Sequence, residues 1–209
     1  MRPLSFTVSA DGSSDSVLVP ILRWAVTRYH PLVSPSINFV DYNVSGRPKG
    51  GLAQRLAEAM RLYPGDILVV HRDAEAQSPL QRETEIRNAL AGLVGPKPSV
   101  FLIPVRMTEA WLLLDESAIR RAADNPAGRN QLDLPPVARL ERLPDPKQML
   151  HDALRTASGY SGRRLRNVRP EQQVRRVAEL VGSFELIENL DAFLRFRRSL
   201  GDAIRMSGE

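Results

Sequence analysis

Cysteine is absent from this 209-residue chain. Disulfides and thiolate metal sites are therefore excluded, and composition offers no argument for secretion. Histidine is scarce as well: His30, His71 and His151 stand too far apart in sequence to predict a zinc site. No apolar run is long enough for a signal peptide or a membrane helix, so the expected location is cytoplasmic and no membrane partner is expected. A Walker-type glycine loop, a nucleophile elbow and a dinucleotide fingerprint are all missing. ATP hydrolysis, serine hydrolysis and NAD chemistry are left without support. Repeats and low-complexity tracts are lacking too.

What is there is the composition of a globular protein, 43% hydrophobic and 25% charged. The length suits one substantial core with an appended element. The net charge of +5 comes mainly from arginine, which is enriched over 155–176. Such a balance suits a polyanionic partner.

Leu4-Ser-Phe-Thr-Val8 alternates apolar and polar residues and predicts a first strand, ending in the turn-forming run Ala10-Asp-Gly-Ser-Ser14. A helix is expected over 15–29, with Pro20 tolerated only near its first turn. A second strand is expected over 36–44, followed by a basic, glycine-containing loop. Leu52, Leu56, Ala59, Met60 and Tyr63 then repeat at helical spacing as far as Pro64-Gly65. Asp66-Ile-Leu-Val-Val-His71 is a continuous apolar run, the pattern of a strand covered on both faces. A helix over 79–91 and a strand over 99–105 complete a β-α-β-α-β-α-β order. That order predicts an α/β fold with a largely parallel sheet flanked by helices. Beyond it the pattern predicts helices over 109–123, 146–157, 171–181 and 190–204, with loops over 125–146 and 158–164. The expected division is an α/β domain over 1–124 and a mainly helical, arginine-rich extension over 125–209 packed on it.

Ligands of open parallel sheets bind at the carboxyl ends of the strands. Strand one delivers Asp11 and Asp15 there, strand three delivers Asp73 and Glu75, and the segment after strand four delivers Glu109. The i, i+2 spacing of Asp73 and Glu75 places both carboxylates on one side of an extended chain. Converging hard oxygens suit Mg²⁺ or Mn²⁺, and a cation offsets their mutual repulsion. Structural roles compete at every position. Asp11 and Asp15 also suit turns and helix caps, Asp73 and Glu75 suit pairing with Arg72 or Arg82, and Glu109 suits a helix start. Trp111 is expected in the core rather than as a base-stacking platform. Arg47 and Lys49, Lys147, and Arg163, Arg164, Arg166 and Arg169 are candidates for phosphate or nucleic-acid contact, set against simple solvent-exposed segments.

Asp11-Gly-Ser-Ser-Asp15 after strand one, with Asp73-Ala-Glu75 after a buried strand, resembles the Toprim domain of topoisomerases, primases and overcoming-lysogenization-defect nucleases. Those domains carry a Glu-Gly motif first and an Asp-x-Asp motif later. Arg106-Met-Thr-Glu-Ala-Trp-Leu-Leu-Leu-Asp115 is similar to the Glu-Ala-Trp segment of small Toprim-like bacterial proteins, some encoded near phage-defence genes. The resemblance spans roughly residues 4–115. It implies Asp11 as acid or base, Asp73 and Glu75 as metal ligands, and Glu109 as a further ligand or orienting group. Asp11 stands where the family has glutamate, and Glu75 where it has aspartate.

The expected function is a Mg²⁺- or Mn²⁺-dependent phosphoryl-transfer enzyme, a nuclease acting on DNA or RNA, with phage defence as the setting the resemblance implies. The alternative is a non-catalytic Toprim-like protein that binds nucleic acid or a partner protein encoded nearby. The two departures from the motif motivate that alternative.

Overall fold

The computed structural model describes residues 1–46, 48, 50–74, 77–93, 95, 97–105 and 107–208. Strand β1 (Arg2–Ser9) leads through a 3₁₀ turn (Ser13–Val17) into helix α1 (Leu18–Tyr29). Strand β2 (Val33–Phe39), a single helical turn α2 (Tyr42–Ser45), helix α3 (Leu52–Leu62), strand β3 (Ile67–His71), helix α4 (Pro79–Ala91) and strand β4 (Ser99–Leu102) follow. After a 3₁₀ turn (Thr108–Leu112) the chain is helical: α5 (Glu116–Ala122), α6 (Pro146–Ser158), α7 (Gly162–Arg166), α8 (Pro170–Leu180) and α9 (Asp191–Met206). Among the described residues no helix is long and apolar enough to cross a membrane.

The chain parts into two compact units, one of Met1–Val105 with Asp191–Glu209, the other of Arg106–Leu190. Two segments group differently from the division expected at residue 124. The last helix belongs with the sheet because Ser199 Oγ accepts the backbone N–H of Phe101 in β4 at 2.9 Å and Phe193 meets Trp24 of α1 at 6.0 Å. Residues 106–124 belong with the helices after them. Arg121 donates to the Leu180 carbonyl at 2.6 Å, and Arg120 to the Asn130 carbonyl at 2.7 Å.

In the first unit the four strands are all parallel, in the order β2-β1-β3-β4. All five residues of β3 are buried, as its unbroken apolar run requires. Burying one such aliphatic side chain stabilises by about 1.5–3 kcal/mol, against about 1–2 kcal/mol for ordering its backbone. A strand in the middle of a sheet therefore gains most when both of its faces are covered. One face presents Leu68 and Val70 to Leu56 of α3 and Ile86 of α4. Along α1 the buried residues Leu18, Ile21, Leu22, Ala25 and Val26 form one stripe. Pro20 sits in its first turn, where no backbone donor is needed.

At the amino end of the sheet Asp66 accepts from the Ser5 backbone N–H (2.8 Å) and hydroxyl (2.6 Å). Those bonds hold its carboxyl below the ordinary aspartate pKa, helped by Lys97 and Arg2. Thr7 donates to the Tyr63 carbonyl at 2.5 Å. Gly65 passes so close to β1 that a Cβ there would lie 2.7 Å from Thr7 Oγ1 and 3.0 Å from the Ser5 carbonyl oxygen.

Three expectations are adjusted. Strand β2 begins at Val33 and stops short of Val44, because the Asp41 carboxylate accepts the N–H of Asn43 at 2.9 Å and turns the chain into α2. The helix expected over 109–123 is divided, since Asp115 caps α5 by accepting from Ala118 N–H at 2.9 Å. Loop segments 125–146 and 158–164 hold a 3₁₀ turn (Val137–Arg142) and most of α7 respectively. Trp111 is buried in the second unit, in the core role expected of it.

Candidate functional site

Strand order reverses direction between β1 and β3, which makes the gap beyond their carboxyl ends the topological switch point, the usual ligand position in such sheets. Both chains emerge there carrying acids. After β1, Asp15 closes the 3₁₀ turn, its Oδ2 accepting the Gly12 N–H at 3.0 Å. After β3 the chain stays extended alongside the continuation of β4, with Arg72 N–H on the Leu102 carbonyl (3.3 Å) and Ala74 N–H on the Pro104 carbonyl (3.0 Å). Asp73 lies between these two bonds, just beyond the end of β3. A Ser78–Gln81 capping box with Pro79 at the first helical position then starts α4.

His71, the last residue of β3, is 2% exposed. Its Nδ1 lies 3.1 Å from the Leu102 carbonyl oxygen, which can only accept, so Nδ1 carries the proton. In the neutral ring Nε2 then presents a lone pair. That atom faces two carboxylates, Asp73 Oδ1 at 3.6 Å and Asp15 Oδ2 at 3.9 Å. A backbone carbonyl fixing one ring nitrogen while the other faces outward is the arrangement of a metal-ligating imidazole. Donors around an octahedral ion with 2.1 Å bonds lie about 3.0 Å apart when adjacent and about 4.2 Å when opposite; the separations of 3.6 and 3.9 Å match neither, so these side chains would have to shift to share such an ion. Among the described residues no three His, Asp or Glu side chains are gathered closely enough to hold an ion as they stand. The set is two neighbouring pairs sharing His71 rather than a closed cage.

Beside it runs a chain of alternating charges. Arg55, 8% exposed on α3, donates to Asp11 Oδ1 at 2.5 Å. Arg72 Nε lies 3.3 Å from Asp11 Oδ2, and its Nη2 lies 3.4 Å from Glu85 Oε1. Arg82 donates to Glu85 Oε2 at 2.8 Å and to the Asp73 carbonyl at 3.0 Å. The Tyr42 hydroxyl donates to the Arg55 carbonyl at 2.8 Å and shares a hydrogen bond of 2.9 Å with Ser9, fixing α3 against the end of β1. Burial raises the Tyr42 pKa, so that hydroxyl stays a donor.

Of the residues singled out in sequence, Asp11 and Asp73 come together here. Asp11 is bound by two guanidiniums rather than facing the imidazole; Asp15, which also forms the expected turn, takes that place. Glu75, Arg47 and Lys49 lie outside the described residues. Glu109 sits on the 3₁₀ turn that opens the second unit. Lys147 and Glu109 there both influence His151: burial lowers its pKa most, Lys147 and Arg155 add to that, and Glu171 and Glu109 oppose it. Arg163, Arg164 and Arg166 are exposed on α7, and among the described residues none is paired with a carboxylate. His71, Arg55, Arg72, Arg82 and Glu85 join the site without standing among the candidates that the sequence offers. The one signal for His71 is its position as the polar end of an apolar strand.

The fold and site define an all-parallel α/β protein with an acid, imidazole and arginine cluster at its switch point. No known family, curated protein or solved structure matches the chain.

Proposed function

We propose that this chain is a divalent-metal-dependent phosphoryl-transfer enzyme of Toprim-like type, a nuclease acting on DNA or RNA, with its site at the carboxyl ends of β1 and β3. The convergence of Asp15 and Asp73 on the outward nitrogen of buried His71 carries this reading. Asp15, His71 and Asp73 would hold the ion, with Glu75 two residues beyond Asp73 as a further donor. One imidazole among carboxylates favours Mn²⁺ over Mg²⁺. The bound ion would polarise the scissile phosphate and acidify a water molecule.

The remaining chemistry belongs to the chain's own side chains. Arg72 and Arg55, both lying along Asp11, are placed to exchange that carboxylate for a phosphate oxygen in the same charge-assisted geometry. Asp11 acts as the group that positions them. On the second unit Arg163, Arg164 and Arg166 supply the exposed cations that a nucleic-acid backbone neutralises.

Purified protein should cleave plasmid, single-stranded DNA or RNA in Mn²⁺ and lose that activity in Asp73→Ala and His71→Ala. Cleavage unchanged in both variants would overturn the assignment. A second reading, binding without catalysis, is favoured by one observation: Asp11, at the position of the Toprim acid or base, is engaged by two arginines. It gains if Mn²⁺ leaves the melting temperature unshifted while nucleic acid raises it.

A further inference from the structure

The first unit carries a cleft of about 850 Å³ beside the edge strand β4, between α4 and α9. That volume lies within the roughly 300–1,000 Å³ of small-molecule sites. Leu90, Phe101, Ile103 and Ala203 give it an apolar floor, and no residue of the switch-point cluster lines it. Addition of a peptide strand to β4 is hindered, since the Phe101 N–H is already taken by Ser199 Oγ.

Five cations line the cleft. Three are committed. Arg87 pairs with Glu83 at 2.6 Å and lies over the Phe101 ring at 5.0 Å, Arg205 pairs with Asp202, and Lys97 donates to the Gly65 carbonyl. Arg195 and Arg198 differ. Arg195 Nε and Nη2 are closed off from solvent and meet no acceptor among the described residues. Arg198 is exposed and forms no ion pair among them. Three residues apart on α9, the two guanidiniums share a face of the helix. A desolvated guanidinium without acceptors is unfavourable. The group that best satisfies two such forks is one with several oxygens, as in phosphate.

We propose that this cleft binds a nucleotide unit, its phosphate on Arg195 and Arg198 and its base against the apolar floor beside the Arg87–Phe101 pair. An acidic peptide would meet the charge and leave the apolar floor unused. The nucleotide is either a free nucleoside phosphate or part of a strand, and its binding does not depend on metal chemistry at the switch point.

Calorimetric titration of the full chain with AMP, ATP, a 5′-phosphorylated oligo(dT), inorganic phosphate and polyglutamate tests this. Saturable binding of nucleotide is expected, weakened at least about tenfold in Arg195→Met and in Arg198→Ala. Arg205→Ala and Asp73→Ala should bind as the parent does. Arg195→Met removes a partly buried cation whose Nε and Nη2 lack acceptors while keeping volume, so its melting temperature without nucleotide should hold or rise, separating lost binding from lost folding. Mononucleotide binding as tight as that of the oligonucleotide identifies a free nucleotide as ligand; much tighter oligonucleotide binding identifies a strand. No nucleotide binding, undiminished binding in Arg195→Met, or equal binding of inorganic phosphate or polyglutamate would overturn the proposal. Loss in Asp73→Ala would also overturn it, by moving the binding to the switch point.

Discussion

The two ends of the same sheet handle their acids in opposite ways. At the amino end Asp66 receives two dedicated donors from Ser5, Lys97 donates to the Gly65 carbonyl, and Gly65 lets the chain press against β1. The charges of Asp66 and Lys97 each have a local partner there, and among the described residues no second acid joins Asp66. At the carboxyl end Asp11, Asp15 and Asp73 share the space beyond β1 and β3 with a buried imidazole and with Arg55, Arg72 and Arg82. Charges there are balanced by other charges, at a desolvation cost that an apolar end would avoid. One end is organised for stability. The other retains an unfavourable cluster where ligands of such folds bind, the pattern expected when chemistry sets the sequence.

If that division is sound, a substitution at one end should move activity and at the other stability. The largest effect is expected at Asp73. On the proposed function, Asp73→Ala should lower Mn²⁺-dependent cleavage by about 100-fold or more, as expected if its carboxylate holds the ion. Its melting temperature without metal should stay close to the parent's, as for a partly exposed side chain beyond the end of a strand. A melting temperature that collapses along with the activity would make Asp73 a structural residue and erase the contrast.

Gly65→Ala should do the converse. A methyl group 2.7 Å from Thr7 Oγ1 forces α3 and β3 away from β1. The expected cost is about 2 kcal/mol, roughly 5 °C in melting temperature for a chain of this size. Cleavage measured well below that temperature, and any shift induced by Mn²⁺, should be retained. Arg55 tests the border between the two behaviours, being buried while its partner Asp11 is 42% exposed. A double-mutant cycle of Arg55→Met with Asp11→Asn should return a coupling of about 1–2 kcal/mol, between the values for exposed and buried pairs. Coupling near zero would mean that the short contact contributes nothing to holding α3.

Much of this contrast is legible in the amino-acid sequence. The apolar run ending at His71 and the alternation in Leu4-Ser-Phe-Thr-Val8 identify strands by composition alone, and acids directly after strands one and three stand at the end where ligands of such sheets bind. Which acid faces which partner is not legible there. Asp15 and Asp11 differ only in how the 3₁₀ turn after β1 rotates them, and that turn is set by the Gly12 and Asp15 hydrogen bonds. Arg55 stands next to Leu56 on α3 and resembles a surface residue. Its burial comes from the packing of α3 beside β1, a contact between distant parts of the chain. His71 gives little sign of itself because only Asp73 stands near it in sequence; its other carboxylate neighbour, Asp15, arrives from beyond a different strand. Sequence order places Glu109 with strand four, yet it groups with the second unit once Asp115 ends the 3₁₀ segment and caps α5.

The smallest expected effect is at Asp66, and its pH dependence makes it the most selective test. Hydrogen bonds from Ser5 lower the Asp66 pKa in the folded chain. The unfolded chain therefore binds this proton more readily, and the stability gained from the ionised carboxylate is complete above the unfolded value of about 4. It is lost as pH falls through the lower, folded value. Asp66→Asn keeps one acceptor oxygen and removes the charge, so it should cost about 1 kcal/mol at neutral pH. Denaturant midpoints of parent and variant should differ by a constant amount from pH 8 to pH 5 and converge below about pH 4. A difference that does not shrink at all as pH falls below 4 would mean that shape rather than the ionised hydrogen bonds joins Asp66 to Ser5. Switch-point variants such as Asp15→Asn should leave this convergence in place, because the Ser5 donors to Asp66 stand at the opposite end of the sheet.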